Sequence, residues 1–126
     1  MGKNQKLKIS KMEKILTEGK RCLFLDRDGV INRSPEAHSY IKNWQDFELL
    51  PDVIPSIRLA KEKGWMVIII TNQRGVGRGL MDKDEVNNIH ENLNILLNKK
   101  GTYIDDFFGA DMIFQIIVNV ESQNLG

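Results

Sequence analysis

The sequence predicts an α/β fold built on a partial doubly wound parallel sheet. Two observations predict it. The short apolar runs Arg21–Leu25 and Trp65–Ile70 each end in a polar, glycine-bearing turn. Between them lies one helical stripe, and a second stripe precedes a third apolar segment at Tyr103–Phe108. Strand, helix, strand over about fifty residues is a βαβ unit, whose crossover is expected to be right-handed.

The totals set the bounds. A chain of 126 residues fits one small domain, and 41% apolar content is ordinary for a globular protein. Eighteen Lys and Arg nearly cancel seventeen Asp and Glu, so the broad basic footprint of a nucleic-acid binder is missing. Cys22 is the single cysteine, which excludes an internal disulfide and a cysteine-rich zinc site. Trp65–Ile70, the longest apolar run, is too short to span a bilayer, and the charged N-terminus has no apolar stretch behind it. The sequence therefore predicts a cytoplasmic monomer that binds no nucleic acid and no membrane.

Each element has a local reason. Residues 1–20 carry Lys3, Lys6, Lys8, Lys11, Lys14 and Lys20 among scattered Leu, Ile and Met, and read as a poorly ordered basic extension. Arg21–Leu25 reads as a buried strand. Residues 32–50 form a long loop with His38, Tyr40, Trp44 and Phe47. Asp52 is the expected N-cap of a helix with Val53, Ile57 and Ala60 on one face, stopped by Gly64. Trp65–Ile70 has the continuous β-branched character of a central parallel strand. Asp82 and Glu85 are placed as a capping pair for a helix striped by Val86, Ile89, Leu93, Leu96 and Leu97, and Gly101 ends it. His90 lies close to that stripe and reads as a packed or surface residue.

The chemistry concentrates at two strand ends. Asp26 and Asp28 are spaced so that both side chains face one way past the first strand. Asp28-Gly29 taken alone fits an ordinary surface turn as well as an active site. The second strand ends in Thr71-Asn72-Gln73-Arg74-Gly75-Val76-Gly77-Arg78-Gly79. In a parallel sheet both turns lie on the same edge, where ligands of open α/β sheets bind. One carboxylate can attack phosphorus, and a second can protonate the leaving oxygen and later deprotonate water. The Thr71 hydroxyl, backbone N–H groups and Arg74 can bind the non-bridging oxygens. Carboxylates facing a phosphate call for a divalent cation, and an all-oxygen set favours Mg²⁺. The glycines do not have G-x-G-x-x-G spacing, and no P-loop lysine follows them.

Asp26-Arg27-Asp28-Gly29-Val30-Ile31-Asn32, together with Ile70 through Gly79, resembles the haloacid dehalogenase superfamily. More narrowly, it is similar to the branch that holds heptose bisphosphate and histidinol phosphate phosphatases. The similarity covers Arg21 to Phe108 and implies a Rossmann-like core that forms an aspartyl-phosphate. It implies Asp26 as nucleophile, Asp28 as general acid/base and Thr71 orienting the phosphoryl group. Mg²⁺ would be held by the Asp26 carboxylate and the Asp28 main-chain carbonyl. Substrate contacts would come from Asp26, Arg27, Asp28, Thr71, Asn72, Gln73 and Arg74, and from the loop Ala37-His38-Ser39-Tyr40. The implied substrate is a small phosphorylated molecule, a sugar bisphosphate first and histidinol phosphate second. A reading from another class is a non-catalytic binding protein or inactive fragment.

The chain departs from that family after Phe108. The resemblance leads one to expect a zinc loop of the form Cys-x-His…Cys-x-Cys, then Arg-Lys-Pro, then a further acidic Mg²⁺ ligand. Residues 109–126 contain none of them, so the family's structural Zn²⁺ has no complete site here. Written as degenerate codons and regrouped one base earlier, the same residues permit Cys-Arg-His-Asp-Ile-Ser-Asp-Asn-Cys-Lys-Cys-Arg-Lys-Pro-Lys-Pro-Gly. A one-base deletion near the Gly109 codon, in the gene or in its recorded sequence, is the expectation. The apolar stretch Met112–Val120 is then an edge strand or equally an exposed aggregation hazard, and the chain a poorly stable product with little or no phosphatase activity. An intact frame on resequencing that DNA sinks the deletion.

Overall fold

The structure is a computed structural model that describes residues 3–36, 39–72, 74–80 and 82–125, with 74, 75, 124 and 125 described for the backbone only. Three parallel strands form one sheet in the order β1-β2-β3: β1 (Cys22–Asp26), β2 (Met66–Thr71) and β3 (Asp106–Gly109). The register sets Asp26 opposite Ile70 and Thr71 opposite Gly109, so all three strands end close together along one edge. Five helices flank the sheet: α1 (Lys3–Thr17), α2 (Val53–Glu62), the single turn α3 (Arg74–Gly77), α4 (Lys83–Lys99) and α5 (Ala110–Leu125). The α/β class and parallel sheet expected from the sequence are the observed ones.

The strands alternate between two cores. Val67 and Ile69 of β2 pack with Val53 and Ile57 of α2 and with Leu93 and Leu97 of α4. Ile68 and Phe108 point to the other face, against Met12 of α1 and Ile113 and Ile116 of α5. Both crossover helices thus lie on one face, as two crossovers of the same hand running in one direction require. Burial of these side chains stabilises the fold by about 1.5–3 kcal/mol for each fully buried residue.

Three local expectations are corrected. Residues 3–17 form a helix rather than a poorly ordered extension. Met12 is buried, with Ile9, Ile15 and Leu16 packed beside it, because the second face of β2 and β3 would otherwise be bare. Residues 110–125 form a helix rather than an edge strand. Ile113, Ile116 and Val120 are buried at helical spacing, and the β3 edge is already engaged. There Lys8 Nζ donates to the Phe107 carbonyl, pairs with Asp106 at 3.3 Å and lies 4.3 Å from the Phe108 ring centre. A lysine on an edge carbonyl is an established way to block strand addition. Asp52 adopts φ 68° and makes no side-chain cap. A left-handed residue cannot present its carboxylate to the first turn as an extended cap does. Asp82, with φ −89° and ψ 133°, is such an extended cap and accepts from Asp84 N at 2.8 Å.

Only the end of the apolar segment Tyr103–Phe108 enters the sheet, from Asp106 on, because side chains bond the preceding backbone. Asn94 accepts from Ile104 N at 2.9 Å and donates to Ile104 O at 3.2 Å. Asp105 Oδ2 accepts from Val67 N at 2.7 Å and from Lys61 Nζ at 2.6 Å. Burial alone would lower the Lys61 pKa, but the bonds to Asp105 and Tyr103 outweigh it and raise the ammonium above its ordinary value. Asp105→Ala leaves a half-buried ammonium and a strand N–H without their acceptor. We expect a loss of about 2 kcal/mol in urea denaturation.

Candidate active site

The Asp26–Asn32 turn is wound around one carbonyl. Arg27 N continues the sheet by donating to Ile70 O at 3.0 Å. Arg27 O then accepts from Val30 N (3.3 Å), Ile31 N (2.8 Å) and Asn32 N (3.1 Å). Gly29 sits at φ 89°, and a Cβ there would lie 2.9 Å from Ser34 Oγ. Gly29→Ala should therefore cost about 1–2 kcal/mol in thermal or urea denaturation, through backbone strain and that contact. The turn is tied to the returning loop by Leu50 N to Ile31 O at 2.9 Å and Arg33 N to Glu48 O at 2.8 Å.

This winding separates the roles of the two carboxylates. Asp26 is exposed at the end of β1 and has no hydrogen-bond or ion-pair partner among the described residues. Asp28 is held: its Oδ1 accepts from Asn32 Nδ2 at 2.9 Å and from Arg27 Nε at 3.2 Å. Asn32 is fully buried, and its Oδ1 has no partner among the described residues. On the neighbouring strand end, Thr71 is buried with Oγ1 3.4 Å from Phe108 O, and Asn72 is exposed.

Arg27 is expected among the substrate contacts, yet its side chain turns inward and is 5% exposed. What it can offer a ligand is backbone. Its Nη1 lies 3.3 Å from His90 Nε2, and its guanidinium carbon lies 6.0 Å from the Phe47 ring centre. His90 is buried and stacked on Phe107, with ring centres 4.1 Å apart and planes 6° from parallel. Burial, then the nearby charges of Arg27 and Lys8, push the imidazole pKa down to about 3. The ring is therefore neutral at physiological pH, so Nε2 can accept from the guanidinium.

Ser39 folds back onto its own loop, with Oγ donating to Glu36 O at 2.6 Å, and Tyr40 is half-buried. Ala37, His38 and Gln73 lie outside the described residues. Arg74 opens the single turn α3 and is described for its backbone only. A cavity of about 920 Å³ runs beside β3 between α4 and the α1–α5 face, and among the described residues Asn72 is the one expected site residue that lines it. The Asp pair instead stands on an open strand end. Sequence reasoning assigned no role to Asn32 or to the His90 contact. Asn32 was inside the quoted motif, whereas His90 gave no signal beyond its closeness to the helix stripe.

Of the two residues expected to hold Mg²⁺, Asp26 ends β1 with an exposed side chain and Asp28 lies in the turn that follows. Among the described residues no three His, Cys, Asp or Glu converge on a point. An oxygen-only set with one free carboxylate fits Mg²⁺, which retains several waters and takes one or two carboxylates.

Comparison with known proteins agrees with the fold. The sequence profile described as Polynucleotide kinase 3 phosphatase matches residues 21–120. The chain is 43% identical over 86 residues to a D-glycero-alpha-D-manno-heptose-1,7-bisphosphate 7-phosphatase of Mycobacterium tuberculosis, covering 68% of this chain and 45% of that one. It is 36% identical over 88 residues to a D-glycero-D-manno-heptose-1,7-bisphosphate 7-phosphatase of Chlorobaculum tepidum, covering 70% and 43%. Among solved structures it is similar to the D,D-heptose 1,7-bisphosphate phosphatase from B. bronchiseptica complexed with magnesium and phosphate. That match has a TM-score of 0.65 and 32% identity, over 71% of this chain and 49% of that one. A putative HAD-like phosphatase from Mesorhizobium loti matches with a TM-score of 0.60 and 30% identity, over 68% and 39%. The chain spans about half the length of the curated relatives it matches. Its parallel sheet, its paired strand-end turns and the profile match over residues 21–120 identify it as a member of the polynucleotide kinase 3 phosphatase family of haloacid dehalogenase-like phosphatases.

Proposed function

We propose that this chain carries the nucleophile and acid/base part of an Mg²⁺-dependent phosphomonoester hydrolase. Its proposed substrate is a heptose 1,7-bisphosphate, from which it removes the 7-phosphate. The observation that carries the reading is the contrast between the two carboxylates. The Asp26 carboxylate is exposed and has no partner among the described residues, as suits a nucleophile, while Asp28 is oriented through one oxygen. In the first step an Asp26 oxygen bonds to phosphorus, and the bond from phosphorus to the sugar oxygen breaks. The departing electron pair stays on that oxygen, which takes the proton of Asp28. In the second step Asp28 accepts a proton from water as the water oxygen attacks the aspartyl-phosphate, which returns Asp26 as carboxylate. Thr71 and backbone N–H groups at the two turns bind the non-bridging oxygens. Mg²⁺ held by Asp26 and the Asp28 carbonyl would supply charge neutralisation.

Substrate contacts from Asn72, Gln73, Arg74 and the loop 37–40 belong to the same reading, as does a monomeric state. The near balance of 18 basic and 17 acidic residues supports a small phosphorylated substrate over a polynucleotide. A cytoplasmic location is proposed alongside it; no described helix is long and apolar enough to cross a membrane.

The test is phosphate release by the full chain with Mg²⁺ from three substrates: heptose 1,7-bisphosphate, histidinol phosphate and a 3′-phosphorylated oligonucleotide. The heptose compound should have the highest kcat/KM by about tenfold or more. Impaired turnover, as the altered tail leads one to expect, lowers the rates and leaves their order. Equal rates on all three, or no Mg²⁺-dependent release from any, overturns the reading.

A further inference from the structure

The machinery derived above uses Asp26, Asp28 and Thr71 and leaves unexplained a buried cation beside a buried imidazole. Arg27 and His90 are 5% and 8% exposed, come from the turn after β1 and from α4, and meet at 3.3 Å. Burying a guanidinium is costly unless each side of it is engaged. Here one side, Nε, is directed at the Asp28 carboxylate at 3.2 Å, and the other, Nη1, at His90 Nε2. The imidazole is itself held flat against Phe107 of β3.

We propose that His90 is a positioning residue that acts through Arg27 on the Asp28 carboxyl. This inference rests on the phosphatase reading above. Arg27 and Asn32 both bond Oδ1 of Asp28, which fixes the carboxyl plane and leaves Oδ2 as the oxygen that gives up and regains the proton. Asn32 is anchored within the turn by its bond to Arg33 O at 3.1 Å. Arg27 has a long flexible side chain, and its fork has a fixed direction only if the far end is held. His90 does this as a neutral acceptor, a task that lysine, arginine or a protonated imidazole could not perform. A chain of contacts thus runs from β3 through Phe107, His90 and Arg27 to the acid/base group on β1. It couples the orientation of Asp28 to the packing of α4 on the sheet.

Two readouts on the full chain test this. The first needs no turnover: exchange of the Arg27 Nε–H with water, followed by NMR on ¹⁵N-labelled protein. We expect slow exchange in the wild type and about tenfold faster exchange in His90→Leu, which keeps apolar bulk and removes the acceptor. His90→Gln, which keeps an acceptor, should stay close to wild type. The second is kcat/KM for heptose bisphosphate against p-nitrophenyl phosphate, whose leaving group departs without a proton. His90→Leu should lower the sugar-phosphate value about tenfold and the p-nitrophenyl value less than twofold, with His90→Gln restoring most of the loss. Unchanged Arg27 exchange in His90→Leu, or an equal fall on both substrates, overturns the proposal. If the wild type hydrolyses neither compound, the phosphatase reading fails, and the exchange experiment alone decides whether His90 holds Arg27.

Discussion

Asp26→Asn should abolish Mg²⁺-dependent phosphate release, by on the order of a thousandfold or more, with no change in the thermal midpoint. The amide is nearly the same size as the carboxylate but is no nucleophile, so the first bond to phosphorus cannot form. Stability should be untouched because Asp26 is exposed and has no partner among the described residues that the change could strand. Asp28→Asn makes the informative contrast. It can keep the bonds from Arg27 and Asn32 to Oδ1 but has no proton to give, so aspartyl-phosphate should still form from an aryl phosphate and then hydrolyse slowly. Acid quench followed by intact-mass measurement separates the two variants: an 80-dalton adduct, roughly, for Asp28→Asn and none for Asp26→Asn. Phosphate release that survives Asp26→Asn would remove the nucleophile from the strand end and the proposed mechanism with it.

The parts of the fold that were legible in the sequence are those where one local rule decides. Trp65–Ile70 is apolar without interruption, and a strand covered on both faces has no other pattern to show. The α4 stripe and the Gly101 stop were likewise readable, since Val86, Ile89, Leu93 and Leu97 recur at helical spacing. Helices α1 and α5 were not, because the apolar stripe of α1 is weak among its lysines and the apolar run of α5 suits a strand as well as a helix. Each is formed in the contact with the other over Ile68 and Phe108, and a lysine-rich segment read alone looks solvated. The start of β3 was not legible for a related reason: Asn94 and Asp105 are distant side chains that stand in for ladder partners. At the site, the spacing of Asp26 and Asp28 placed both at one edge but could not show that one would be free and the other fixed. That distinction comes from Asn32 and from an arginine that the motif suggested would face the substrate. Side-chain direction inside a turn is set by the bonds the turn makes, and here three N–H groups close on the Arg27 carbonyl.

The buried imidazole should also make the fold acid-sensitive. His90 titrates near 3 in the folded chain against an ordinary 6.5, because it is buried and because Arg27 and Lys8 face it with positive charge. Between those two values the unfolded chain binds a proton at this position and the folded chain does not, so stability rises with pH across that window. The contribution is fully present above about pH 6.5 and is lost as pH falls towards 3. The slope approaches about 1.4 kcal/mol per pH unit, which integrates to on the order of 5 kcal/mol over the window. Carboxylate protonation adds its own acid sensitivity, so the comparison is between wild type and His90→Gln in urea denaturation at pH 7, 5 and 4. The wild type should lose more stability than the variant at each step, and the gap should widen as pH falls. Parallel curves would mean that His90 accepts a proton without opening the fold. A buried cation cannot remain 3.3 Å from a protonated imidazole without another charge to separate them, so the Arg27 contact would then have to rearrange.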